Sequence, residues 1–513
     1  MQAVAHSNET TMNIATMAYP LHLAIIGLII AILFRIFQNI QRLRASKIPG
    51  PFLAAVTSFW RYRHMQSPKW SEELDQLHKK YGKLVRLGPN FVSVADAGAL
   101  PVIYGTSSAW IKGDSYDVIA AVNNGREIRT IASTRDEAAF TKTKRAVGSA
   151  FATTNLLDYE CFIDNSTEEL FAALRKHGNV DIVKWFALST MDMLSHIAFS
   201  ESLNFVQAEG DVGGVLESIA TRFKWWQTWG PIPGLERLLF RNPIAMRMSG
   251  ASSSPIALLA ATKYQARKNT KSTERDLLQK YLAASEKYPD VVRPETIIGM
   301  VISTIAAGAD TTAVTLASVF YYVVKHPDVH RKLMDEFNAA FLAGQLSRPP
   351  KWAEVSKLPY LDVVIKESMR CWSIAAFMVD RVVPKGGVEL AGHFIPEGTQ
   401  VGCNLHAVHM MTDVWGDDAD AFRPERWLEA DEERRRKMHK AFLGFSMGKR
   451  VCIGMHIAEL EMKKMIPHVL MSFDVKFTHE NQEIRLPDVS ANSVRVPAPI
   501  WVTFEERLWS GGK

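Results

Sequence analysis

The sequence has few cysteines for its length. Only four occur among 513 residues, and no two of them form a CxxC pair. A disulfide framework needs a much higher density, so this composition excludes a disulfide-stabilised scaffold and favours a reducing compartment. A lone cysteine is most simply interpreted as a small buried apolar residue. That interpretation suffices for Cys161, Cys371 and Cys403, whereas Cys452 stands in a motif of its own.

The sequence also lacks a strong excess of either charge. The formal net charge is +6 over 513 residues, and basic and acidic residues are interspersed along the chain. Nucleic-acid binding is therefore not expected. A charge of this size is compatible with docking to an acidic partner or to an anionic membrane surface. The hydrophobic fraction of 47% indicates a globular chain.

Charged residues are missing altogether from residues 14–34. At about 1.5 Å per residue, a helix over this stretch spans about 31 Å, which matches a bilayer core of about 30 Å. A cleaved signal peptide would have a basic start and a small-residue cleavage site. Here residues 1–13 hold no Lys or Arg, and Arg35, Arg42 and Arg44 follow the apolar stretch. The pattern favours an uncleaved single-pass anchor, with the short N-terminus outside the cytosol and the rest inside.

The anchor divides the chain into four parts. Residues 1–13 are the lumenal N-terminus, residues 14–37 the transmembrane signal anchor, and residues 38–52 a basic linker with a Pro-rich hinge. The two prolines at the end of that linker forbid helix and fix an extended turn. Residues 53–513 then form one large domain.

This domain is predicted to be mainly α with a minor β portion. Residues 84–87 and 91–95 flank a Gly-Pro-Asn turn and indicate a hairpin, and a second β-rich patch covers residues 381–400. Most of the remainder has helical spacing. Residues 295–324 are apolar on every side, which suits a second transmembrane helix or the central helix of a soluble core. Because Asp310 at its middle would cost about 2.5–3.5 kcal/mol in a bilayer, we interpret it as a core helix.

A motif near the C-terminus gives Cys452 a chemical role. Phe445, Gly448, Arg450 and Gly454 surround it at fixed spacing, although an ordinary glycine-containing loop is the simpler alternative. A cysteine that binds a metal must be a thiolate, which needs positive charge, backbone N–H donors and shielding from water. The glycines let the backbone turn and approach a flat cofactor. Arg450 offers a cation for a carboxylate, and Phe445 supplies an apolar cover.

A second motif lies midway along the predicted core helix. Ala307 and Thr311 are four residues apart and share a face. The Thr311 hydroxyl can bond to the carbonyl of Ala307 and loosen the helix locally, and Gly308 removes a side chain from that spot. Asp310 and Thr311 are the two residues of this stretch that can pass on a proton. By itself this stretch would be an ordinary Thr/Ala helix seam.

A third motif is a set of opposite charges. Glu367 and Arg370 stand three residues apart on one predicted helix, and Arg426 follows beside Trp427. An isolated pair at this spacing is typical of a surface ion pair worth less than about 1 kcal/mol.

Together the three motifs resemble those of the cytochrome P450 family, in the same order, over residues 48–505. The resemblance implies the cytochrome P450 fold behind an N-terminal transmembrane anchor helix. It implies haem b as the cofactor, with its iron bound by the thiolate of Cys452. It also makes Glu367, Arg370 and Arg426 a structural triad that holds the thiolate loop in register. It implies that Gly308 leaves room for dioxygen and that Asp310 and Thr311 form a proton relay to reduced oxygen.

The resemblance further implies a haem-thiolate monooxygenase that inserts one oxygen atom from O2 into a lipophilic small molecule. Electrons would come from NADPH through a membrane-bound NADPH–cytochrome P450 reductase, for which Lys440 and Lys449 are docking candidates. The anchor and hinge are similar to those of microsomal fungal enzymes, which implies a monomer in the endoplasmic reticulum membrane facing the cytosol. Residues 381–427 are most similar to the pisatin demethylase-like group, which acts in specialised metabolism.

The haem propionates and the substrate pocket follow from the same resemblance. Near Phe140, Lys144 takes the place of the family's propionate-binding arginine, and Arg145 is the alternative. Arg381 corresponds to another customary propionate contact. The implied pocket walls, mostly apolar, are residues 110–129, 223–241, 300–307, 372–379 and 492–494.

Two other functions stay open at this point. One is a haem-thiolate isomerase or dehydratase that uses no external O2, and the other is a non-catalytic, membrane-associated haem-binding protein. The pair Asp310 and Thr311 argues against the first, since such enzymes often lose it. The intact oxygen motif and the large fold argue against the second.

Overall fold

The computed structural model describes residues 22–507, except for residues 25, 28, 43, 45, 108, 124–125, 249–253, 271, 376, 481 and 488–493. The predicted lumenal segment and the first part of the predicted anchor lie outside the described residues. The described chain is mainly α with a minor β portion, as predicted.

Helices make up most of the structure, and many begin at a proline or at a capping acid. Asp136 and Asp181, for example, accept hydrogen bonds from first-turn N–H groups, which would otherwise lack a partner. The helices are α1 (His22–Arg42), α2 (Phe52–Val56), α3 (Phe59–Met65), α4 (Trp70–Tyr81), α5 (Leu100–Tyr104), α6 (Ser115–Ile119), α7 (Glu137–Val147), α8 (Glu160–Lys176), α9 (Ile182–Phe199), α10 (Phe205–Ala208), α11 (Val215–Trp229), α12 (Pro233–Phe240), α13 (Pro243–Met248), α14 (Pro255–Arg267), α15 (Leu277–Lys287), α16 (Pro294–Lys325), α17 (Pro327–Leu342), α18 (Trp352–Val355), α19 (Pro359–Cys371), α20 (Leu405–His409), α21 (Thr412–Trp415), α22 (Arg426–Glu429), α23 (Glu432–Ala441) and α24 (Met455–Ser472).

The strands are short and form small sheets beside the helices. The five-stranded sheet has the order β1-β2-β10-β7-β3, with β2 and β10 parallel and the other neighbours antiparallel. Its β1 and β2 are the predicted hairpin, and the predicted second patch supplies β7 to β10. The strands are β1 (Leu84–Gly88), β2 (Phe91–Val94), β3 (Ile111–Lys112), β4 (Ala121–Asn123), β5 (Arg126–Ile128), β6 (Val180–Asp181), β7 (Arg381–Val382), β8 (Val388–Leu390), β9 (His393–Ile395), β10 (Gln400–Gly402), β11 (Phe473–Phe477) and β12 (Trp501–Glu506).

The long helix α16 is the centre of the fold. It lies within one residue of its predicted bounds at each end, begins with Pro294 and ends before Pro327. Its C-terminal half is almost fully buried among hydrophobic neighbours. Both α16 and α1 are long and apolar enough to cross a membrane, but more than half of the apolar part of α16 is buried and none of that of α1 is. The core-helix prediction is therefore confirmed for α16.

A buried charge network stands behind the loop that carries Cys452. The side chains of Glu367, Arg370 and Arg426 are fully buried. Glu367 Oε1 accepts hydrogen bonds from Arg370 Nη2 and Arg426 Nε, each at 2.8 Å, and Glu367 Oε2 accepts one from Trp427 Nε1 at 2.9 Å. The alternative of a surface ion pair is thus excluded, and the structure brings the three predicted residues together.

The network continues to the loop through a histidine. Arg370 Nη1 donates to the carbonyl of His409 at 2.9 Å, and His409 Nε2 accepts from the backbone N–H of Leu443 at 3.0 Å. Burial, together with the charge of Arg370, lowers the pKa of His409 to about 3, so that its ring stays neutral and can accept. Leu443 lies two residues before Phe445, at the start of the loop. The buried charge network is therefore connected to the loop by hydrogen bonds.

Candidate active site

A cavity of about 870 Å³ lies between α16 and the loop before α24. Each of the five predicted wall segments contributes residues to it. The sequence did not predict two further walls, the first half of α11 from Gly214 to Arg222 and the start of α14 at Pro255 and Ile256. Those stretches carry no motif, and they reach the cavity only because α14 packs on α16 and α11 packs on α14.

The loop turns sharply so that Cys452 faces this cavity. The backbone N–H of Cys452 donates to the carbonyl of Phe445 at 2.9 Å, which closes the loop. Gly448 has φ +66°, and a Cβ atom there would collide with the carbonyl of Tyr104. Helix α24 begins at Met455, directly after Gly454. Phe445, Gly454 and Arg450 all line the cavity together with Cys452.

Burial has the largest effect on the pKa of the Cys452 thiol. It raises the pKa of Cys452, whereas the backbone N–H groups of Gly454 and Met455 and the charge of Lys144 lower it. Positive charge, from Lys144, and the N–H donors expected from the sequence are present, but on balance the thiol form is favoured. A thiolate at this position therefore needs a further positive charge, which a bound metal ion supplies.

Five basic side chains also line the cavity: Lys112, Lys144, Arg222, Arg381 and Arg450. Lys112 and Arg381 are paired across β3 and β7, and both are buried. Burial, together with the neighbouring Arg381 and Arg450, holds the pKa of Lys112 well below its usual range. Within the described residues, neither Lys112 nor Arg381 forms a salt bridge with a carboxylate.

The structure separates the two candidates near Phe140. Lys144 lines the cavity and donates to the carbonyl of Lys449 at 3.0 Å. Arg145 is exposed and does not line the cavity, because it points from another side of α7. The alternative placed on Arg145 is therefore not supported by its position. Lys112 was missed, since a lysine in a two-residue strand gives no motif.

Arg450 reaches the cavity but is already held by a partner. Its Nη2 lies 2.7 Å from Glu137 Oε1, and its guanidinium lies 3.5 Å from the centre of the Phe140 ring. Arg450 is thus fixed in place before any carboxylate of a ligand reaches it.

On the other side of the cavity, Thr311 has the predicted geometry. Its hydroxyl donates to the carbonyl of Ala307 at 2.7 Å, and both residues line the cavity. Asp310 does not line it, and no hydrogen bond joins Asp310 to another described residue; burial raises the pKa of its carboxyl to about 6. Gly308 lines the cavity, and a Cβ atom there would lie 2.8 Å from Leu194 Cδ1, so this glycine also allows the close packing of α9.

Glu461 is an acid that the sequence did not reveal. It lies on α24, lines the cavity and hydrogen-bonds Thr312 of α16, and its Oε1 has no partner among the described residues. Burial raises the pKa of its carboxyl to about 8. The available signal was a carboxyl among the apolar residues of the helix that follows Cys452.

These residues fit an iron porphyrin. The described residues contain no cluster of three His, Cys, Asp or Glu side chains that could hold a bare metal ion. A single thiol therefore suits a metal whose other ligands come from a macrocycle. Buried cations without carboxylate partners are costly, and the two propionates of haem b would neutralise them.

Comparisons with known proteins agree with this geometry. The family model described as Cytochrome P450 matches residues 48–504. A cytochrome P450 monooxygenase of Aspergillus terreus is 35% identical, over 84% of this chain and 91% of its own. Cytochrome P450 monooxygenase cicH of Emericella nidulans is 33% identical, over 87% and 91%, and asR2 of Sarocladium schorii is 29% identical, over 92% and 94%.

The similar enzymes are fungal monooxygenases, and none of these three is described as pisatin demethylase-like, so that assignment stays a prediction. The fold, the cysteine facing the cavity and the match over most of the length support one conclusion. The chain belongs to the cytochrome P450 family and is an oxidoreductase of the monooxygenase type.

Proposed function

We propose that the chain inserts one oxygen atom of O2 into a lipophilic small molecule of fungal specialised metabolism. The second oxygen atom leaves as water, with two electrons from NADPH that a membrane-bound NADPH–cytochrome P450 reductase delivers. The observation that carries the proposal is that Cys452 and Thr311 line the same cavity, whose walls are mostly apolar. Haem b bound through Cys452 supplies the activation of O2.

Four side chains would hold the two propionates. Arg381 and Lys112 are buried side by side, Arg450 is fixed by Glu137, and Lys144 stands beside Arg450. Charge-assisted hydrogen bonds from buried cations are among the strongest a protein makes.

Formation of water consumes two protons, which must reach a mostly apolar cavity. Glu461 is neutral at pH 7, because burial raises the pKa of its carboxyl to about 8, and it can therefore donate a proton. Glu461 hydrogen-bonds Thr312, which is the residue after Thr311 on α16. We propose that Glu461 supplies protons toward the Thr311 hydroxyl, and that Asp310 is a second, more distant acid.

Besides α1, an exposed apolar face supports attachment of the protein to a membrane. Phe52 and Phe59, before and within α3, and Leu238 of α12 have exposed fractions of 74%, 55% and 67%. These elements are adjacent, since Arg61 Nη2 of α3 donates to the carbonyl of Pro231 before α12 at 2.9 Å. We propose a single-pass protein of the endoplasmic reticulum membrane, with residues 53–513 as a cytosolic domain that works as a monomer.

The reductase would dock near the Cys452 loop. Lys449 lies within that loop and Lys440 on α23 shortly before it, and both are exposed. Their positive charge suits an acidic partner surface. We propose this side of the domain as the docking surface.

The first prediction tests the reaction itself. In the reconstituted enzyme, Thr311→Ala should lower the amount of product formed per NADPH consumed by about tenfold or more, because the hydroxyl that handles protons is lost. The control Thr296→Ala removes a hydroxyl at the start of α16, where it bonds to the carbonyl of Val291, and should leave the ratio unchanged. Unchanged coupling in Thr311→Ala would count against the proposal.

A second prediction concerns pH. Product per NADPH should fall as the pH rises through about 8, because ionised Glu461 has no proton to give. Glu461→Gln should lower the ratio at pH 7 and abolish the fall near pH 8. Glu459→Gln, on the same helix but paired with His456, should keep the wild-type profile. A fall near pH 8 that persists in Glu461→Gln would show that another group is responsible.

A third prediction concerns Lys112. Lys112→Met should speed the loss of haem to an acceptor such as apomyoglobin by about tenfold or more, because a charge-assisted hydrogen bond is lost. The same change should raise the thermal stability of the haem-free protein, because burial keeps the Lys112 amine neutral there and folding must remove its proton. Arg145→Met, at an exposed position on α7, should change neither quantity. Equal haem loss from wild type and Lys112→Met would refute the role.

A further inference from the structure

One wall of the cavity is aromatic. Phe223 and Trp226 of α11 and Phe377, which follows α19, all line it. The ring centroids of Trp226 and Phe377 are 4.6 Å apart, and those of Trp226 and Tyr116 are 5.3 Å apart. Aliphatic side chains would exclude water equally well, so this wall offers something that hydrophobicity alone does not require, namely ring faces and edges.

A second wall is the face of α16 that carries Thr311. Ser303, Ala307 and Thr311 follow at intervals of four residues and all line the cavity. The other cavity-lining hydroxyls of α16 already have hydrogen-bond partners. Three of them donate to the carbonyl one turn back, namely Thr304, Thr311 and Thr315. The fourth, Thr312, bonds to Glu461.

Ser303 differs from these hydroxyls. Among the described residues its side chain has no hydrogen-bond partner, although it faces a mostly apolar space. Ser303 is only partly buried, so an apolar ligand that fills the cavity would separate this hydroxyl from water at a cost, unless the ligand completes its hydrogen bonds. Because Ser303 precedes Ala307 by four residues, it lies about 6 Å away along the helix axis.

We propose that the substrate is an aromatic lipophile that stacks against Phe223, Trp226 and Phe377. It carries one hydroxyl or carbonyl oxygen, about 6 Å from the carbon that reacts beside Ala307, and this oxygen bonds to Ser303. The inference rests on the proposed function and adds the substrate class to it. A saturated lipid would gain the same burial of apolar surface but none of the ring contacts.

The test compares three matched probes, 2-naphthol, naphthalene and decahydro-2-naphthol, by optical spin-state titration of the haem-loaded, full-length protein. Wild type should bind 2-naphthol about tenfold more tightly than its saturated counterpart, since each aromatic pair contributes a factor of about 2 to 12. Trp226→Leu and Phe377→Leu should each remove most of this preference, and Trp226→Phe should retain it. The control Trp229→Leu changes a ring on the same helix that does not line the cavity and should leave the preference intact.

The polar contact has its own readout. Ser303→Ala should weaken 2-naphthol about threefold to tenfold and leave naphthalene unchanged, whereas Ser303→Thr should preserve both affinities. Equal binding of 2-naphthol and decahydro-2-naphthol by wild type, or a preference that survives both leucine variants, would overturn the aromatic class. A parallel loss for 2-naphthol and naphthalene in Ser303→Ala would overturn the oxygen contact.

Failure of this inference is separable from failure of the proposed function. The reduced, carbon monoxide-bound spectrum is recorded on the same samples. If the red-shifted Soret band of a thiolate haem is present but the probe preferences are absent, only the substrate class is refuted. If that band is absent from wild type, the proposed function and the substrate class fail together.

Discussion

The structure depends on the placement of one sulfur atom at the end of a large apolar cavity. The loop that carries Cys452 is closed by its own backbone hydrogen bond to Phe445 and admits only glycine at position 448, where the chain passes the carbonyl of Tyr104. Behind it, the buried network of Glu367 reaches the loop through His409. Removing one partner from such a network leaves a buried charge uncompensated, at a cost of about 3–5 kcal/mol. The polar groups of this network are costly to bury, and they lie where they fix the loop.

The charges around the cavity are unbalanced in a way that a cofactor corrects. Burial favours the neutral thiol at Cys452 and the neutral amine at Lys112, so both groups are poised to become charged once opposite charge arrives. An iron porphyrin would bring a metal cation to the sulfur and two carboxylates to the basic side chains. Metal binding, propionate binding and stability of the cavity would therefore be coupled.

The sequence predicted the elements that local pattern determines. Helix α16 and the β1–β2 hairpin appear where expected, because apolar periodicity and turn residues specify them. The spacing around Cys452 predicted which cysteine faces the cavity. Lys112 and Glu461 could not be predicted, since their importance arises only when distant elements pack together. The contact of Gly308 with α9 could not be predicted either, because it depends on Leu194 of that neighbouring helix.

The ligand role of Cys452 is tested most directly by the reduced, carbon monoxide-bound spectrum of the purified protein. Wild type should show the red-shifted Soret band of a thiolate haem, and Cys452→Ser should lose it. Cys371→Ser and Cys403→Ser should keep it, since burial raises the thiol pKa of Cys371 to about 12 and that of Cys403 to about 11, and neither lines the cavity. A wild-type spectrum without the band, or a band that survives in Cys452→Ser, would contradict the account.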